Sequence, residues 1–280
     1  MKTLKTVHNE IRETTELKKL VEVYEESAAT KMTEIRKETL ESRGYYEGLV
    51  KVTEEIGADF SAIYEDKANK AAVFVAANAG LYGDVVAKTF YLFLDFIKKE
   101  SADAFVVGRI GREMMDRNAP DIHYQVFEMP DDAIDQGKFD LIAQRIVGYR
   151  EIYVFYPKFH SLVYQESVGM KISGDMLSVY QKAIDAKKKV ETMLSFIYEP
   201  SVAAVSKFFG EEIMMASMEQ MFRESQLARF AARPMHLDSA VNDLNRKIES
   251  YTFEKHKVKK LMGERRQRMV VNGLMARGVF

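Results

Sequence analysis

Near the start of the chain, apolar residues recur at Leu4, Val7, Ile11, Leu17, Val21, Tyr24, Ala28, Met32 and Ile35, in steps of three and four with Thr14 filling one gap. That spacing predicts one long helix with a narrow apolar stripe. The other faces are densely charged, so the stripe reads as a coiled-coil seam that needs a partner helix of similar length. From about Ser201 the period returns, clearest in Leu237, Val241, Leu244, Ile248, Tyr251, Val258 and Met262, with Lys255 in the missing seat. A second long helix is expected there, antiparallel to the first and interrupted at Pro234 and Gly263. Pro234 removes one backbone hydrogen bond and should bend the helix without ending it. At ~1.5 Å per residue, helices of some 50 to 75 residues run about 75–110 Å, several times the thickness of a small domain.

Between these helices the period changes. Ala71–Ala77 and Ala104–Val107 are short apolar runs of the kind found in buried parallel strands, each followed by a glycine-containing turn and a helical pattern. Ile122–Phe127, Glu151–Tyr156 and Leu162–Glu166 are read as further strands, with a helix over 132–148. The fold class that follows is α/β: a long antiparallel coiled coil of N- and C-terminal helices with an inserted Rossmann-like domain. The expected divisions are 1–58 for the first helix, 70–200 for the α/β domain and 201–280 for the last helix.

Composition narrows the function. The 280 residues are 47% apolar and 30% charged, with five prolines and a net charge of −1, which gives no global attraction to nucleic acid. There are no cysteines, so disulfides, thiolate metal sites and cysteine nucleophiles are excluded. The start of the chain runs into helical periodicity without the apolar segment of a secretory signal. The most apolar stretch, Phe90–Ile97, is far shorter than the ~20 residues that span a bilayer, so no direct membrane insertion is expected.

Candidate chemistry is sparse. Asn78–Asp84 joins a strand to a helix, where a phosphate-binding loop would lie, but it lacks both the Gly-x-Gly-x-x-Gly spacing and the Lys-Ser/Thr of a P-loop. A tight structural turn built on Gly80 and Gly83 is the plainer reading. The histidines at 8, 123, 160, 236 and 256 form no ligand pair, and no serine sits in an activating motif. No catalytic residue, metal site or cofactor is expected. The last helix carries Lys255, Lys257, Lys259, Lys260, Arg265, Arg266 and Arg268, followed by an apolar tip of Met269, Val270, Val271, Leu274, Met275, Val279 and Phe280. A solvated face and an acidic protein partner both explain the charges, whereas the apolar tip argues for insertion into another protein.

Several local motifs, in order along essentially the whole chain, resemble those of the F-type ATP synthase gamma subunit. Ala28-Ala-Thr-Lys-Met32 is similar to the family's Ala-Ala-Ser-Lys-Met/Leu, and Gly80-Leu-Tyr-Gly83 to its Gly-Leu-Cys-Gly turn. Tyr156-Pro-Lys-Phe-His-Ser161 with Gln165 resembles its Tyr-Asn-x-Phe-x-Ser…Gln stretch, and Tyr198-Glu-Pro-Ser201 its lead into the last helix. Arg223–Arg233, Arg-Glu-Ser-Gln-Leu-Ala-Arg-Phe-Ala-Ala-Arg, resembles Glu-Ser-x-x-Ser-Glu-x-Ala-Ala-Arg, later followed by Arg266-Gln267 where the family has Arg-Gln. Departures are Arg229 for a glutamate, Pro234 for a methionine and Tyr24-Glu25-Glu26 for Met-Lys-Met.

The resemblance implies a non-catalytic rotor shaft that couples ion-driven rotation to ATP synthesis or hydrolysis elsewhere. Its implied partners are the alpha and beta subunits of the catalytic hexamer, an epsilon-type small stalk subunit and the c-subunit ring. The implied contact residues are Tyr24, Glu25, Lys31, Arg266, Gln267, Met269, Val270 and Leu274, and the implied location is the cytoplasmic side of a bacterial cell membrane. Two other readings stay open at this stage: a nucleotide-binding α/β enzyme using the Asn78–Asp84 loop, and a non-rotating coiled-coil scaffold.

Overall fold

A computed structural model describes residues 2–56, 69–172, 199 and 201–276. The expected boundaries at 58 and 200, together with Val279 and Phe280, lie outside the described residues. The chain divides into two compact units, one of Met1–Ala28 with Pro234–Phe280 and one of Ala29–Arg233.

Helix α1 spans Leu4–Ile56. Its buried and half-buried positions include Leu4, Val7, Ile11, Thr14, Lys18, Val21, Glu25, Ala28, Met32, Ile35, Thr39, Ser42 and Tyr46. These alternate steps of four and three without a break, which is the strict seven-residue period of a coiled-coil seam. The sequence expectation placed Leu17 and Tyr24 in that seam, but they are 49% and 55% exposed, and Lys18 and Glu25 hold the two places. The reason is phase. Continuing the alternation from Thr14 lands on 18 and 25, and Lys18 fills its place with its aliphatic stem while its charged head pairs with Glu22 at 3.4 Å. Buried hydroxyls in the stripe are satisfied locally: Thr14 and Thr39 each donate to a carbonyl four residues back, both at 2.7 Å.

The last helix, numbered α5 here, runs unbroken from Val202 to Ala276 with Pro234 inside it. In the first unit Leu237, Val241, Leu244 and Val258 are buried, and Lys2 lies 3.6 Å from Glu254 and 5.1 Å above the Tyr251 ring. Met262, expected in the seam, is 54% exposed. Lys2 lies beside Glu254, and Met262 is about two turns further along α5, past the start of α1 at Leu4. In the second unit the helices run antiparallel, with Glu38 accepting from Arg223 at 3.0 Å and Tyr45 donating to Glu212 at 2.9 Å.

The second unit also holds a five-stranded sheet in the order β3-β2-β1-β4-β5. Its strands are β1 (Lys70–Val75), β2 (Asp103–Val107), β3 (Tyr124–Phe127), β4 (Glu151–Phe159) and β5 (Gln165–Lys171). The first four are parallel and β5 is antiparallel to β4. Between them lie α2 (Val85–Glu100), α3 (Arg109–Asn118) and α4 (Gln136–Ile146). The uninterrupted apolar run of β1 is explained by burial on both faces. Ala71, Val73 and Val75 pack with α4 and with Met214, Met218, Met221 and Phe222 of α5, whereas Ala72, Phe74 and Ala76 pack against α2 and α3.

One strand was misplaced by the sequence. Leu162, Val163 and Tyr164 resemble a strand in composition, yet they form the exposed turn between β4 and β5, closed by Ser161 N donating to Tyr164 O at 3.0 Å. The strand itself starts at Gln165, because an edge strand covered on one side accepts the mixed polar run that follows. Gly169 is required there: a Cβ on it would come within 2.5 Å of the Phe155 ring. Helix α4 is shorter than the expected 132–148, starting where the Asp135 carboxylate caps Lys138 N at 3.1 Å.

Candidate functional site

In a parallel sheet with helices on both faces, ligands bind beyond the carboxyl ends of the strands, and the Asn78–Asp84 loop leaves β1 at that end. Its exposed amides would have to meet a phosphate for the enzyme reading to hold. They meet Asp131 instead, from the segment after β3. The Asp131 carboxylate accepts from Asn78 N at 2.9 and 3.1 Å, from Ala79 N at 2.7 Å and from the Tyr82 hydroxyl at 3.2 Å. The remaining polar groups of Asn78 are also engaged: its side-chain amide donates to Met129 O, its side-chain carbonyl accepts from Arg109 N at 2.9 Å, and its backbone carbonyl accepts from Arg109 Nη2 at 2.7 Å.

The negative charge of Asp131 is matched by Arg229 of α5, whose Nη1 lies 3.0 Å from it and also donates to Ala76 O at the end of β1. Arg229 is buried and Asp131 half-buried, at 4% and 13% side-chain exposure. Arg233, one turn on, donates to Gly80 O at 3.1 Å and lies 4.6 Å from the centre of the Tyr82 ring. Burial pushes the Tyr82 hydroxyl up to about 12, with the charge of Arg229 opposing and that of Asp131 reinforcing the shift. The place where an anion would bind is thus filled by an internal carboxylate and its counter-charge. Backbone shape fits this closure. Gly83 adopts φ 66° and Leu81 φ 69°, while Gly108, at φ 100°, brings its Cα so close to Ala77 that a Cβ would lie 2.8 Å from the Ala77 oxygen. Gly80 has open space around it and takes no left-handed conformation.

The end of α5 is the opposite case. Every residue from Arg265 to Met275 is exposed, among them Met269 at 68%, Val270 at 57% and Leu274 at 39%. Arg266 and Gln267 make no side-chain hydrogen bond or ion pair among the described residues. On α1, Tyr24 faces outward, Glu25 is half-buried, and Lys31 is held by Glu34 at 2.9 Å, which keeps its ammonium above the usual lysine range. No described helix is long and apolar enough to cross a membrane.

Sequence reasoning found the loop and the apolar end but missed Asp131, which lies in an unremarkable Met-Pro-Asp-Asp segment, and missed the role of Arg229. The signal was present in Arg229 itself, a charged residue set among Leu227, Ala228, Phe230, Ala231 and Ala232, where a buried countercharge is required.

A protein-family model described as ATP synthase matches residues 3–261. Among curated proteins, the chain is 24% identical over 208 residues to the ATP synthase gamma chain of Elusimicrobium minutum (strain Pei191), covering 69% of this chain and 67% of that one. Among solved structures it resembles a chain of the Euglena gracilis mitochondrial ATP synthase rotor, with TM-score 0.53 and 13% identity over 89% of this chain and 99% of that chain. It also resembles a chain of the Tetrahymena thermophila mitochondrial ATP synthase central stalk and c-ring, with TM-score 0.56 and 16% identity over 79% and 99% of the two chains. A third similar chain comes from the Euglena gracilis OSCP/F1/c-ring assembly, with TM-score 0.57 and 12% identity over 94% and 95%. At these identities the structural likeness concerns the fold.

Proposed function

The chain belongs to the ATP synthase family, and from that membership we propose that it is the central rotor shaft of an F-type ATP synthase, a subunit that carries torque and performs no chemistry of its own. The observation that carries this reading is the run Arg265–Met275, apolar and basic side chains left uniformly exposed at the end of a 75-residue helix. Such a surface is tolerated in water only at a cost and fits a sleeve formed by other chains. Residues 1–58 and 201–280 form the shaft and 70–200 the foot. The alpha and beta subunits surround the apolar end, while the foot meets an epsilon-type subunit and the c-ring, peripheral on the cytoplasmic side of the membrane.

Within that assembly Tyr24, Glu25, Lys31, Arg266, Gln267, Met269, Val270 and Leu274 are the contact residues. Arg266 offers a forked donor suited to carboxylates, and Gln267 adds a donor and an acceptor, so together they form a catch at one rotary angle. The enzyme alternative is disfavoured by Asp131, which occupies the loop amides that a nucleotide phosphate would need. The test is the double variant Arg266→Ala/Gln267→Ala reconstituted with the alpha and beta subunits. Assembly should be retained while ATP turnover, or its coupling to ion transport, falls. Parental turnover in a fully assembled complex would remove the catch, and failure of the parent chain to assemble would remove the shaft.

A further inference from the structure

The first unit contains α1 and α5 alone among the described elements, and its core is their seam. Of the eight seam positions that α1 supplies between Leu4 and Ala28, three are polar: Thr14, Lys18 and Glu25. Thr14 donates to Glu10 O at 2.7 Å and Lys18 pairs with Glu22 at 3.4 Å, bonds within α1 that do not tie it to α5. On α5, Lys255 is half-buried in the facing stripe, between Tyr251 and Val258. Leu17, Leu20, Val23 and Tyr24 meanwhile stand exposed. Charged residues in a seam fix its register at a cost in stability. The bridge of Lys2 to Glu254, at 3.6 Å with both side chains more than a third exposed, offsets little of that cost.

The same two helices are held differently in the second unit. There Met214, Met218, Met221 and Phe222 of α5 share a core with β1 and β4, and Ile35 of α1 packs with Leu227 and Phe230. Polar ties cross from helix to helix: Arg43 donates to Glu224 at 2.6 Å and Arg223 to Glu38 at 3.0 Å. Pro234 is the first α5 residue of the first unit, and its ring nitrogen carries no hydrogen, so one rung of the helix is missing at the boundary. Regions open in cooperative blocks, and those with few buried apolar contacts open first. A helix of about 25 residues that has lost its packing partner is marginal in water.

We propose that residues 4–28 of α1 form a releasable arm, which parts from α5 and melts reversibly while the second unit stays folded. The release belongs to the free chain and does not depend on the shaft reading. Amide hydrogen exchange of the full chain, read by mass spectrometry at several low urea concentrations, tests it. Amides of 7–28 should be protected at least about 100-fold less than those of β1 and β2. Their exchange should also respond less steeply to urea, because opening the arm exposes less surface than unfolding the sheet. Lys18→Leu/Glu25→Leu, which puts apolar side chains at the two charged seam positions, should slow exchange in 7–28 about tenfold or more and leave β1 and β2 unchanged. Equal protection of the arm and the sheet, or equal urea slopes, would overturn the proposal by showing that the arm opens only with the whole chain. So would a double variant that leaves the arm's exchange unaltered, or that slows the sheet as much as the arm.

Discussion

Two stretches of helix α5, residues 221–232 and 265–275, are both rich in apolar and basic side chains, yet they meet opposite fates. In the first, Phe222, Leu227 and Phe230 are 2%, 2% and 5% exposed, and the buried charges come with their partners: Glu224 with Arg43, Arg229 with Asp131. In the second, Met269, Val270 and Met275 are 68%, 57% and 63% exposed, and Arg265, Arg266 and Arg268 have no ion pair among the described residues. Hydrophobicity alone does not tell the two apart. Completion does: a surface whose charges are answered from within the same chain is structural, and one whose charges and apolar groups both stand open is built to meet something else.

The sharpest way to break this comparison is at Arg229. Arg229→Met leaves the half-buried Asp131 carboxylate without its countercharge and should cost about 2–4 kcal/mol in urea denaturation, with partial recovery when Asp131→Asn is added. A cost under about 1 kcal/mol would mean that the segment 221–232 is not completed by that pair. Smaller in effect is the seam of the first unit. Leu244→Asp should lower stability by about 2–3 kcal/mol by removing a buried side chain, whereas Leu17→Asp, off the seam, should stay within about 0.5 kcal/mol. Equal losses in the two variants would restore Leu17 to the seam and refute the phase given above.

The smallest effect is expected in alkali. Burial pushes Tyr82 up to about 12, and Tyr124 and Tyr149 are likewise pushed up to about 12 by burial and by their bonds to Asp116 and Asp103. Each folded-state value lies above the ordinary tyrosine value of about 10, so the folded chain holds these protons longer than the unfolded one. Their contribution is complete below about pH 10 and is lost as pH rises through about 12, at no more than about 1.4 kcal/mol per pH unit for each proton. Thermal melts between about pH 9 and pH 11 should therefore decline, and Tyr82→Phe should flatten the decline without abolishing it. An unchanged slope in that variant would show that Tyr82 is not sealed by Asp131 and the arginines.

Much of the fold was legible because its period is strong. The seven-residue alternation of α1 and α5 and the two-sided burial of β1 and β2 leave marks in the sequence that need no tertiary knowledge. The errors came where composition and period disagree. Lys18 and Glu25 sit in a seam because the phase demands it, and a search for apolar residues passes over them toward Leu17 and Tyr24. Leu162, Val163 and Tyr164 have the composition of a strand but turn in solvent. The partner of the loop was not legible. Asp131 and Asn78 are 53 positions apart, and only the β1-β2-β3 order brings the carboxylate to the loop.

The filled loop also has a consequence for descent. Opening it to a nucleotide would first require losing Asp131, which strands Arg229 in a dry interior; losing Arg229 first strands Asp131. Either single step removes a large share of the ~5–15 kcal/mol that holds an ordinary domain together. Lineages carrying this pair are therefore separated by a fitness valley from any phosphate-binding version of the same loop. Selection can exchange the two residues together, but drift cannot wear them away one at a time.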